Sequence, residues 1–512
     1  MKIAVMRERV GGEPRVAATP ETIAKLIGFG ATVSVEKGAG EASRILDQFY
    51  TDAGAKVEAS AAAAVKGADV ILAVRRPEAS ALAGAAEGAL VLATADPFGN
   101  EAALAALAKA GVSIFAMELM PRITRAQVMD ILSSQANLAG YQAVIEASMV
   151  YDRALPMMMT AAGTVRAAKV FVMGAGVAGL QAIATAKRLG AAVSATDVRA
   201  AAGEQVESLG AKFIMTEALK DASGTGGYAR ELTKDEQAAQ AELVSGHIAK
   251  QDIVVTTALI PGRPAPKLIT KAMVESMAPG SVLVDLAAER GGNIELTVPG
   301  QTIVHKDVTI IGLLNLQGKI AATASQLYSK NLLAFLETMI DKDAKGLKVD
   351  WDDELVKATL LTRDGAVVHP NFAGAADAAP ADKKAPAKAT AKAPAKTAAT
   401  GKTAATKAAP KAESKPTAKA PAKTGASGKG RAAKVATAGA VSVPAEDKPV
   451  AKPAAKSAAA KSAPAGTSAP KAPATKKPAT KTAAARKPAA KSTAAKKPAA
   501  KKPAAKKTDG DV

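Results

Sequence analysis

The sequence predicts an α/β protein: two domains with parallel sheets separated by a cleft, the first of them discontinuous, followed by a long disordered arm. Three observations carry that expectation. Short apolar runs alternate with longer amphipathic stretches from Lys2 to about Val368, the pattern of parallel strands joined by helical crossovers. The alternation restarts at Ala168 after a long helical stretch, so there are two sets of strands. After Phe372 the chain holds no Leu, Ile, Met or aromatic residue, and nothing there can build a core.

In order, Lys2–Met6 reads as the first strand. Pro20–Gly28 reads as a helix, because Thr19 can cap it, Pro20 suits the first helical position and Glu21 sits in the positive first turn. Strands follow at Ala31–Glu36, Val70–Val74, Leu90–Thr94 and Ser113–Ala116, with a helix at Glu101–Ala110 that stops at Gly111. Pro121–Ala147 carries a polar stretch into a long helix that leaves this sheet. The second set opens with a buried strand at Lys169–Met173, a helix at Leu180–Leu189 and a strand at Ala192–Asp197. Further strands fall at Lys212–Met215, Ile253–Thr257, Ser281–Asp285 and Val308–Ile311. Ser325–Lys342 is helical, and Trp351–Val368 has no sheet of its own to join, so it returns to the first domain. The expected boundaries are 1–136 and 323–373 for the first domain, 137–322 for the second, and 374–512 for the arm.

Charge divides the chain at the same place. The 512 residues carry a net charge of +21, but residues 374–512 alone hold 31 Lys and Arg against 7 Asp and Glu, a net of +24. What precedes them has 37 basic and 40 acidic side chains, an ordinary, slightly acidic protein of about two domains' length. The arm also holds 16 of the 28 prolines, in repeats such as Lys-Lys-Pro-Ala-Ala-Lys, which interrupt the helix that Ala and Lys favour. Ala and Val bury too little apolar surface to offset an ordering entropy of roughly 1–2 kcal/mol per residue. Such an arm resembles the basic tails of linker histones and some bacterial nucleoid proteins. It can bind phosphate backbones without sequence preference, or an anionic membrane surface; without interleaved aromatics it has no means of stacking on bases.

With no cysteine, disulfides, thiolate nucleophiles and Cys-ligated metals are excluded. His247, His305 and His369 lie far apart and read as surface or hydrogen-bonded core residues; no metal site is expected. Met1-Lys-Ile-Ala-Val opens an apolar run too short for a signal peptide, and no run of about 18 apolar residues occurs. A soluble, cytoplasmic protein is expected.

The strongest local signal is Gly174-Ala175-Gly176-Val177-Ala178-Gly179. It follows a strand and opens a helix, the context that makes a Gly-x-Gly-x-x-Gly run a Rossmann-type dinucleotide turn. Gly174 supplies the tight turn, Gly176 lets backbone approach a pyrophosphate, and Gly179 permits close helix–strand packing. The helix N-terminus offers its unpaired N–H groups to the phosphates. Asp197, at the end of the next strand, is placed to accept hydrogen bonds from ribose hydroxyls and to repel a 2′-phosphate, favouring NAD over NADP. Arg199, two residues on, would offset part of that charge. Pro121–Gln135 places Arg122, Arg125, Gln127, Asp130 and Ser133 at a helix start. The carboxamide of a nicotinamide needs one donor and one acceptor, which Gln, Asp and Ser can supply; by composition alone this is equally a capped helix start with solvated charges. Ser223-Gly-Thr-Gly-Gly-Tyr-Ala-Arg230 reads as a flexible loop whose Tyr228 could fold over a ligand, or as a plain surface loop.

Longer runs then carry a resemblance: Met117-Glu-Leu-Met-Pro-Arg-Ile, Met129-Asp-Ile-Leu-Ser-Ser-Gln-Ala-Asn-Leu-Ala-Gly-Tyr141, Met157-Met-Met-Thr-Ala-Ala-Gly-Thr164, Gly179-Leu-Gln-Ala-Ile-Ala-Thr-Ala-Lys-Arg-Leu-Gly190, Ala195-Thr-Asp-Val-Arg-Ala200, Gln205-Val-Glu-Ser-Leu-Gly210 and Thr256-Thr-Ala-Leu-Ile-Pro-Gly262. Over about residues 1–372 the chain resembles the NAD(H)-binding component (domain I) of proton-translocating NAD(P) transhydrogenases, in the alanine dehydrogenase/transhydrogenase family. The likeness is to the first of the two alpha-subunit polypeptides in the three-polypeptide bacterial form. The resemblance implies two Rossmann-like domains and hydride exchange between NAD(H) bound here and NADP(H) on a beta subunit. A membrane subunit (the second alpha polypeptide) and the beta subunit would couple that exchange to proton movement, of the Si/Re type. It implies a homodimer, peripheral to the inner face of the bacterial cytoplasmic membrane. Carried over residue by residue, Arg122, Gln127 and Asp130, the catalytic positions, and Ser133 look like the loop that holds the nicotinamide and its ribose. Gly174, Gly176, Val177, Ala178 and Gly179 look like the phosphate turn, and Asp197, Val198 and Arg199 the adenosine side. Gly227 and Tyr228 match a mobile loop, and Thr257 and Leu259 the strand end facing the cofactor.

Alanine dehydrogenases share this fold and are the competing enzyme reading. They use a Lys in a Val-Lys-x-x-x-Pro region and a His near the end of the fourth strand. Here these regions read Leu72-Ala-Val-Arg-Arg-Pro77 and Leu92-Ala-Thr-Ala-Asp-Pro97, so Arg75 or Arg76 could hold a carboxylate but neither base is present. The departures from the transhydrogenase pattern, at Asp96–Asn100 and after Asn315, are expected in surface or domain-contact loops. A nucleic-acid-associated role for the arm is the reading from another class.

Overall fold

A computed structural model describes residues 1–373 except 217–221, 223–229, 231 and 261. The basic arm, with Gly227 and Tyr228, therefore lies outside the described residues. The first sheet is built from β1 (Lys2–Val5), α1 (Pro20–Gly28), β2 (Thr32–Glu36), α2 (Asp47–Asp52), β3 (Lys56–Glu58) and α3 (Ala61–Val65). It is completed by β4 (Val70–Arg75), β5 (Leu90–Thr94), α4 (Glu101–Lys109) and β6 (Ser113–Ala116). Its strand order is β3-β2-β1-β4-β5-β6, all parallel. Both faces are covered, as a parallel sheet requires. Ile3 and Val5 enter one core with Val33, Val35 and Leu72, while Ala4 and Met6 enter another with Ile71, Val91 and Ile114.

A single long helix, α5 (Ile131–Val150), leads away from this sheet. Its first residue, Ile131, lies in the first sheet's core, and Ala143, Val144 and Ala147 lie in the second's. The exposed hairpin β7 (Met158–Thr160) and β8 (Gly163–Val165) follows.

The second sheet takes β9 (Lys169–Met173), α6 (Val177–Arg188), β10 (Ala192–Thr196), α7 (Ala202–Ser208), β11 (Lys212–Phe213) and α8 (Lys234–Ile248). It continues through β12 (Ile253–Thr256), α9 (Lys271–Glu275), β13 (Val282–Asp285), β14 (Thr302–His305) and β15 (Val308–Ile311). The order is β11-β10-β9-β12-β13-β15-β14, parallel except for β14 at the edge. The closing segment comprises α10 (Ala321–Glu337), the two-stranded pair β16 (Ile340–Asp341) and β17 (Gly346–Leu347), α11 (Glu354–Thr359), and the pair β18 (Thr362–Arg363) and β19 (Ala366–Val367). From it, Tyr328, Leu332, Phe335 and Leu336 pack into the first sheet's core with Val5 and Leu92, and Leu361 and Phe372 pack on the other face.

Four of the strands missed by sequence reasoning bury little: β3 and β14 are edge strands, and the residues of β7 and β8 are exposed. β11 is two residues where four were expected. Helix α6 begins at Val177 and α10 at Ala321, earlier than their side chains suggest, and α10 ends at Glu337 rather than Lys342, because Ile340–Asp341 turn into strand β16 paired with β17. Small residues in the first turn hide a helix start.

Candidate functional site

Strands β9 and β12 are neighbours, but the chain leaves β9 toward β10 on the other side. The carboxyl ends of such a pair form the crevice where open α/β sheets bind ligands. The glycine turn lies there. Gly174 has φ +102°, and a Cβ on it would stand 2.4 Å from Thr257 Oγ1. Thr257, just beyond β12, donates from that hydroxyl to the Gly174 carbonyl at 3.1 Å. A Cβ on Gly179 would lie 1.8 Å from the same carbonyl oxygen. Gly176, the N-cap of α6, differs: nothing lies within 4 Å of where its Cβ would be. Two glycines thus permit close packing and the third borders open space. With the N–H groups of the first turn of α6 lacking helical acceptors, this turn suits a pyrophosphate.

Asp197 follows β10 and is 9% exposed. Its Oδ2 accepts from the Ala175 N–H at 2.7 Å, tying the end of β10 to the glycine turn. Arg199 donates from its backbone and from Nε to Oδ1, and from Nη2 to Oδ2, each at 2.9 Å. Four bonds fill a carboxylate's acceptor capacity. A ribose hydroxyl would therefore displace one arm of the Arg199 fork, and the pair repels a 2′-phosphate less than a lone carboxylate would. The Asp197 charge is therefore offset more fully than its place at the strand end suggested. Val198 stands beside them, its carbonyl accepting from the Ala222 N–H at 2.9 Å.

The polar stretch before α5 folds as a 3-10 turn, Thr124–Met129. Ala126 and Met129 are buried pegs, while Arg122 and Gln127 stand exposed. Asp130 caps α5, accepting from the Ser133 N–H at 2.9 Å and from the Ser133 hydroxyl. Arg125 points away from this turn and pairs with Asp353 at 2.8 Å and with Glu354 at 3.2 Å. The turn and the glycine loop are joined through α5. A Cβ on Gly140 would meet the Ala178 carbonyl oxygen at 2.0 Å, so the two helices touch backbone to backbone. Gly140 lies ten residues, about 15 Å of helix, beyond Asp130. Leu259 is exposed near the end of β12. Its neighbour Ala258 is held by buried Asn293, whose Oδ1 accepts from the Ala258 N–H at 3.0 Å and whose Nδ2 donates to the Ala258 carbonyl at 2.8 Å.

At the first sheet's own switch point, between β1 and β4, lies a charged network that motif reading missed. The Val74 N–H donates to Glu8 at 2.6 Å, Arg15 grips Glu13 at 2.7 Å, and Arg75 reaches Glu13 at 2.8 Å. Burial, and then the neighbouring Glu13 carboxylate, push the Glu8 carboxyl up to about 7. Burial alone would raise Glu13 too, but Arg15 and Arg75 hold it at about 2. Arg76 donates to the carbonyls of Ala95 and Asp96 at 2.6 and 3.1 Å. Both guanidinium groups that could have taken a substrate carboxylate are thus engaged internally. Glu8, Glu13 and Arg15 are near neighbours along the chain, but Arg75 on Glu13 and the Val74 N–H on Glu8 arrive only when the sheet closes, so spacing does not show the network.

Each departure segment meets the other half of the body. Asp96 pairs with Arg290, a Cβ on Gly262 would strike the Phe98 ring at 2.7 Å, and Asn315 donates to the Gly12 carbonyl at 2.9 Å. All three histidines are hydrogen-bonded: His247 to Ser194, His305 to Glu275, His369 to the Ala358 carbonyl.

Two parallel sheets joined by one helix, with a glycine turn at the second sheet's switch point, define a dinucleotide-fold protein of two lobes. Residues 4–139 match the model of the alanine dehydrogenase/PNT N-terminal domain and residues 143–370 that of its C-terminal domain; the chain belongs to this family. Within it, the chain is 53% identical to the first portion of NAD(P) transhydrogenase subunit alpha of Rhodospirillum rubrum, over 73% of this chain and 99% of that one. It is 48% identical to the protein of the same name from Rickettsia prowazekii, over 72% and 96%. A transhydrogenase crystal structure from Sinorhizobium meliloti is similar with TM-score 0.64 and 59% identity, covering 73% of this chain and all of that one.

Proposed function

We propose that this chain is the NAD(H)-binding subunit of a proton-translocating transhydrogenase. It exchanges hydride between NAD(H) bound at the second sheet and NADP(H) held by a partner beta subunit, while a membrane subunit (the second alpha polypeptide) couples the exchange to proton movement. The observation that carries the reading is the glycine turn: Gly174 and Gly179 packed to the limit, Gly176 open, Asp197 bonded to the same turn. The relatives' names support the reaction class.

The nicotinamide, when bound, supplies the hydride acceptor or donor carbon, so no side chain must move a proton. The residues' work is binding and alignment. The first turn of α6 receives the pyrophosphate; Asp197, Val198 and Arg199 receive the adenosine ribose. Arg122, Gln127, Asp130 and Ser133 hold the ring and its ribose at the start of α5. Thr257 and Leu259 border the cofactor from the end of β12. An alanine-dehydrogenase-like activity is disfavoured because Arg75 is occupied by Glu13 and Asp96 by Arg290. We further propose that 323–373 belongs with 1–136 as one domain, supported by the packing of Tyr328, Leu332 and Phe335 on the first sheet. A homodimer is supported by β7–β8, where Met157, Met158 and Met159 are exposed, Met159 by 81%. No helix among the described residues is long and apolar enough to cross a membrane, so attachment to the inner face of the cytoplasmic membrane runs through the partners.

Titration of NADH fluorescence with the full chain tests this. Saturable binding is expected, with hydride exchange only after the NADP-binding partner is added. No binding at millimolar NADH sinks the proposal.

A further inference from the structure

Asn331 lies on α10, 7% exposed, far in sequence from any motif. Its Nδ2 donates to the Val128 carbonyl at 2.8 Å, and its Oδ1 accepts from the Ser134 hydroxyl at 2.7 Å. Both sides of one carboxamide are used. The orientation is dictated by chemistry: a carbonyl can only accept, so the amide nitrogen must face Val128. Val128 follows Gln127 directly, and its side chain is 64% exposed. The last carbonyls of a short helical turn have no partners of their own, and Asn331 satisfies this one.

The anchor is itself braced. Gln135 Nε2 donates to Ser134 Oγ at 3.2 Å and to the Ala324 carbonyl at 3.2 Å, while Gln135 Oε1 accepts from Arg15 at 2.8 Å. A continuous hydrogen-bond chain, buried at Arg15 and Gln135 and partly buried beyond, therefore runs from Arg15 through Gln135 and Ser134 to Asn331 and the Val128 peptide. At its other end the turn is tied by Arg125 to Asp353 and Glu354. Two apolar pegs fix the height of the turn; these two ties set its rotation, and with it the place of Gln127.

We propose that Asn331 is a positioning residue for Gln127 in hydride exchange, acting through the Val128 peptide and touching neither reactant. The inference rests on the reading of Thr124–Met129 as the nicotinamide loop. Hydride transfer depends on close, aligned approach, and a displacement of about 1 Å can cost about a hundredfold. Replacing Asn331 by Asp keeps the shape but sets a carboxylate oxygen against the Val128 carbonyl, turning attraction into repulsion.

The test compares N331D, Q127A and the double variant in the full chain, with and without the NADP-binding partner. In the unliganded chain, N331D should raise amide hydrogen exchange across 124–130 and leave 174–180 unchanged. With the partner, kcat should fall about tenfold while the NADH Kd stays within about threefold, the signature of lost alignment and not of lost ground-state binding. Because Asn331 acts through Gln127, the double variant should be no slower than Q127A. S134A, which removes only the hydroxyl on Oδ1, should give the same pattern in smaller measure. The proposal is overturned if exchange across 124–130 does not change, if 124–130 and 174–180 loosen together as in general destabilisation, or if the losses of N331D and Q127A multiply. Should Q127A slow hydride exchange and N331D not, the proposal falls alone. If neither slows it, the reading of the loop falls as well.

Discussion

The two oxygens of Asp197 already accept four hydrogen bonds, three of them from Arg199. Asp197→Ala should weaken NADH binding by about 1–3 kcal/mol, the cost of a lost bond to a charged group, and should let NADPH bind by removing the carboxylate that repels its 2′-phosphate. Arg199→Ala leaves the carboxylate charge uncompensated, so the preference for NADH over NADPH should sharpen. Competitive titration reads both, and a variant lacking Arg199 that binds NADPH better would place the 2′ discrimination elsewhere. Glu8 makes a separate prediction from its pKa. Its carboxyl, at about 7 in the fold against 4.5 ordinarily, takes up a proton on folding. Its contribution is complete below pH 4.5 and is lost as pH rises through 7, by at most about 3 kcal/mol for a shift of this size. Glu13, held at about 2, has the opposite sign: its contribution is present above pH 4.5 and lost on acidification toward 2. Glu8→Gln should therefore flatten Tm between pH 5 and 7 and leave the acid limb in place. An unchanged slope in that window would assign the neutral-range titration to another group.

Helix α5 and its crossing of α6 govern the elements. Helix-interior Gly140 admits the Ala178 peptide, and Gly179 admits the Gly174 carbonyl; a methyl at either site lies 2.0 Å or less from a backbone oxygen. Overpacking of this kind costs about 1–3 kcal/mol and sometimes more. Gly140→Ala should lower Tm markedly and weaken NADH only as a consequence. Gly176→Ala meets nothing within 4 Å, so Tm should hold while NADH binding is lost, because the methyl takes space meant for a phosphate. Measured side by side, the two separate packing glycines from binding glycines. Equal Tm losses would refute the division. The same reasoning explains why sequence identified Gly176 and passed over Gly140: the first lies in a motif with a mechanism, while the second depends on which helix crosses it.

The whole molecule divides its charge unevenly: a net of −3 in residues 1–373 and +24 in 374–512. Deleting 374–512 should leave NADH affinity and Tm unchanged and abolish retention by polyanions. Duplex DNA binding by the full chain should fall steeply between about 50 and 200 mM salt. Retention on anionic vesicles and none on DNA would point to surface tethering instead. Within the body, the pairs that bridge its halves, Arg290 with Asp96 and Arg75 with Glu289, are partly exposed and each is worth about 0–1 kcal/mol. A shared apolar element holds the halves together: α5, whose two ends lie in different cores. Strand positions and the glycine turn were legible because each is a local pattern. Hydrophobic runs mark buried strands, and glycines at fixed offsets mark a backbone that must bend and stand clear. Edge strands that bury little left no such mark. By itself the sequence determined the α/β class, the glycine turn and the boundary of the basic arm, all consequences of neighbours along the chain. Only the tertiary structure decided that Arg75 reaches Glu13, that Asn293 holds Ala258, and that Asn331 grips the Gln127 turn. Those pairings depend on which distant side chains sheet closure and helix crossing bring within 3 Å, and no periodicity or spacing encodes that distance.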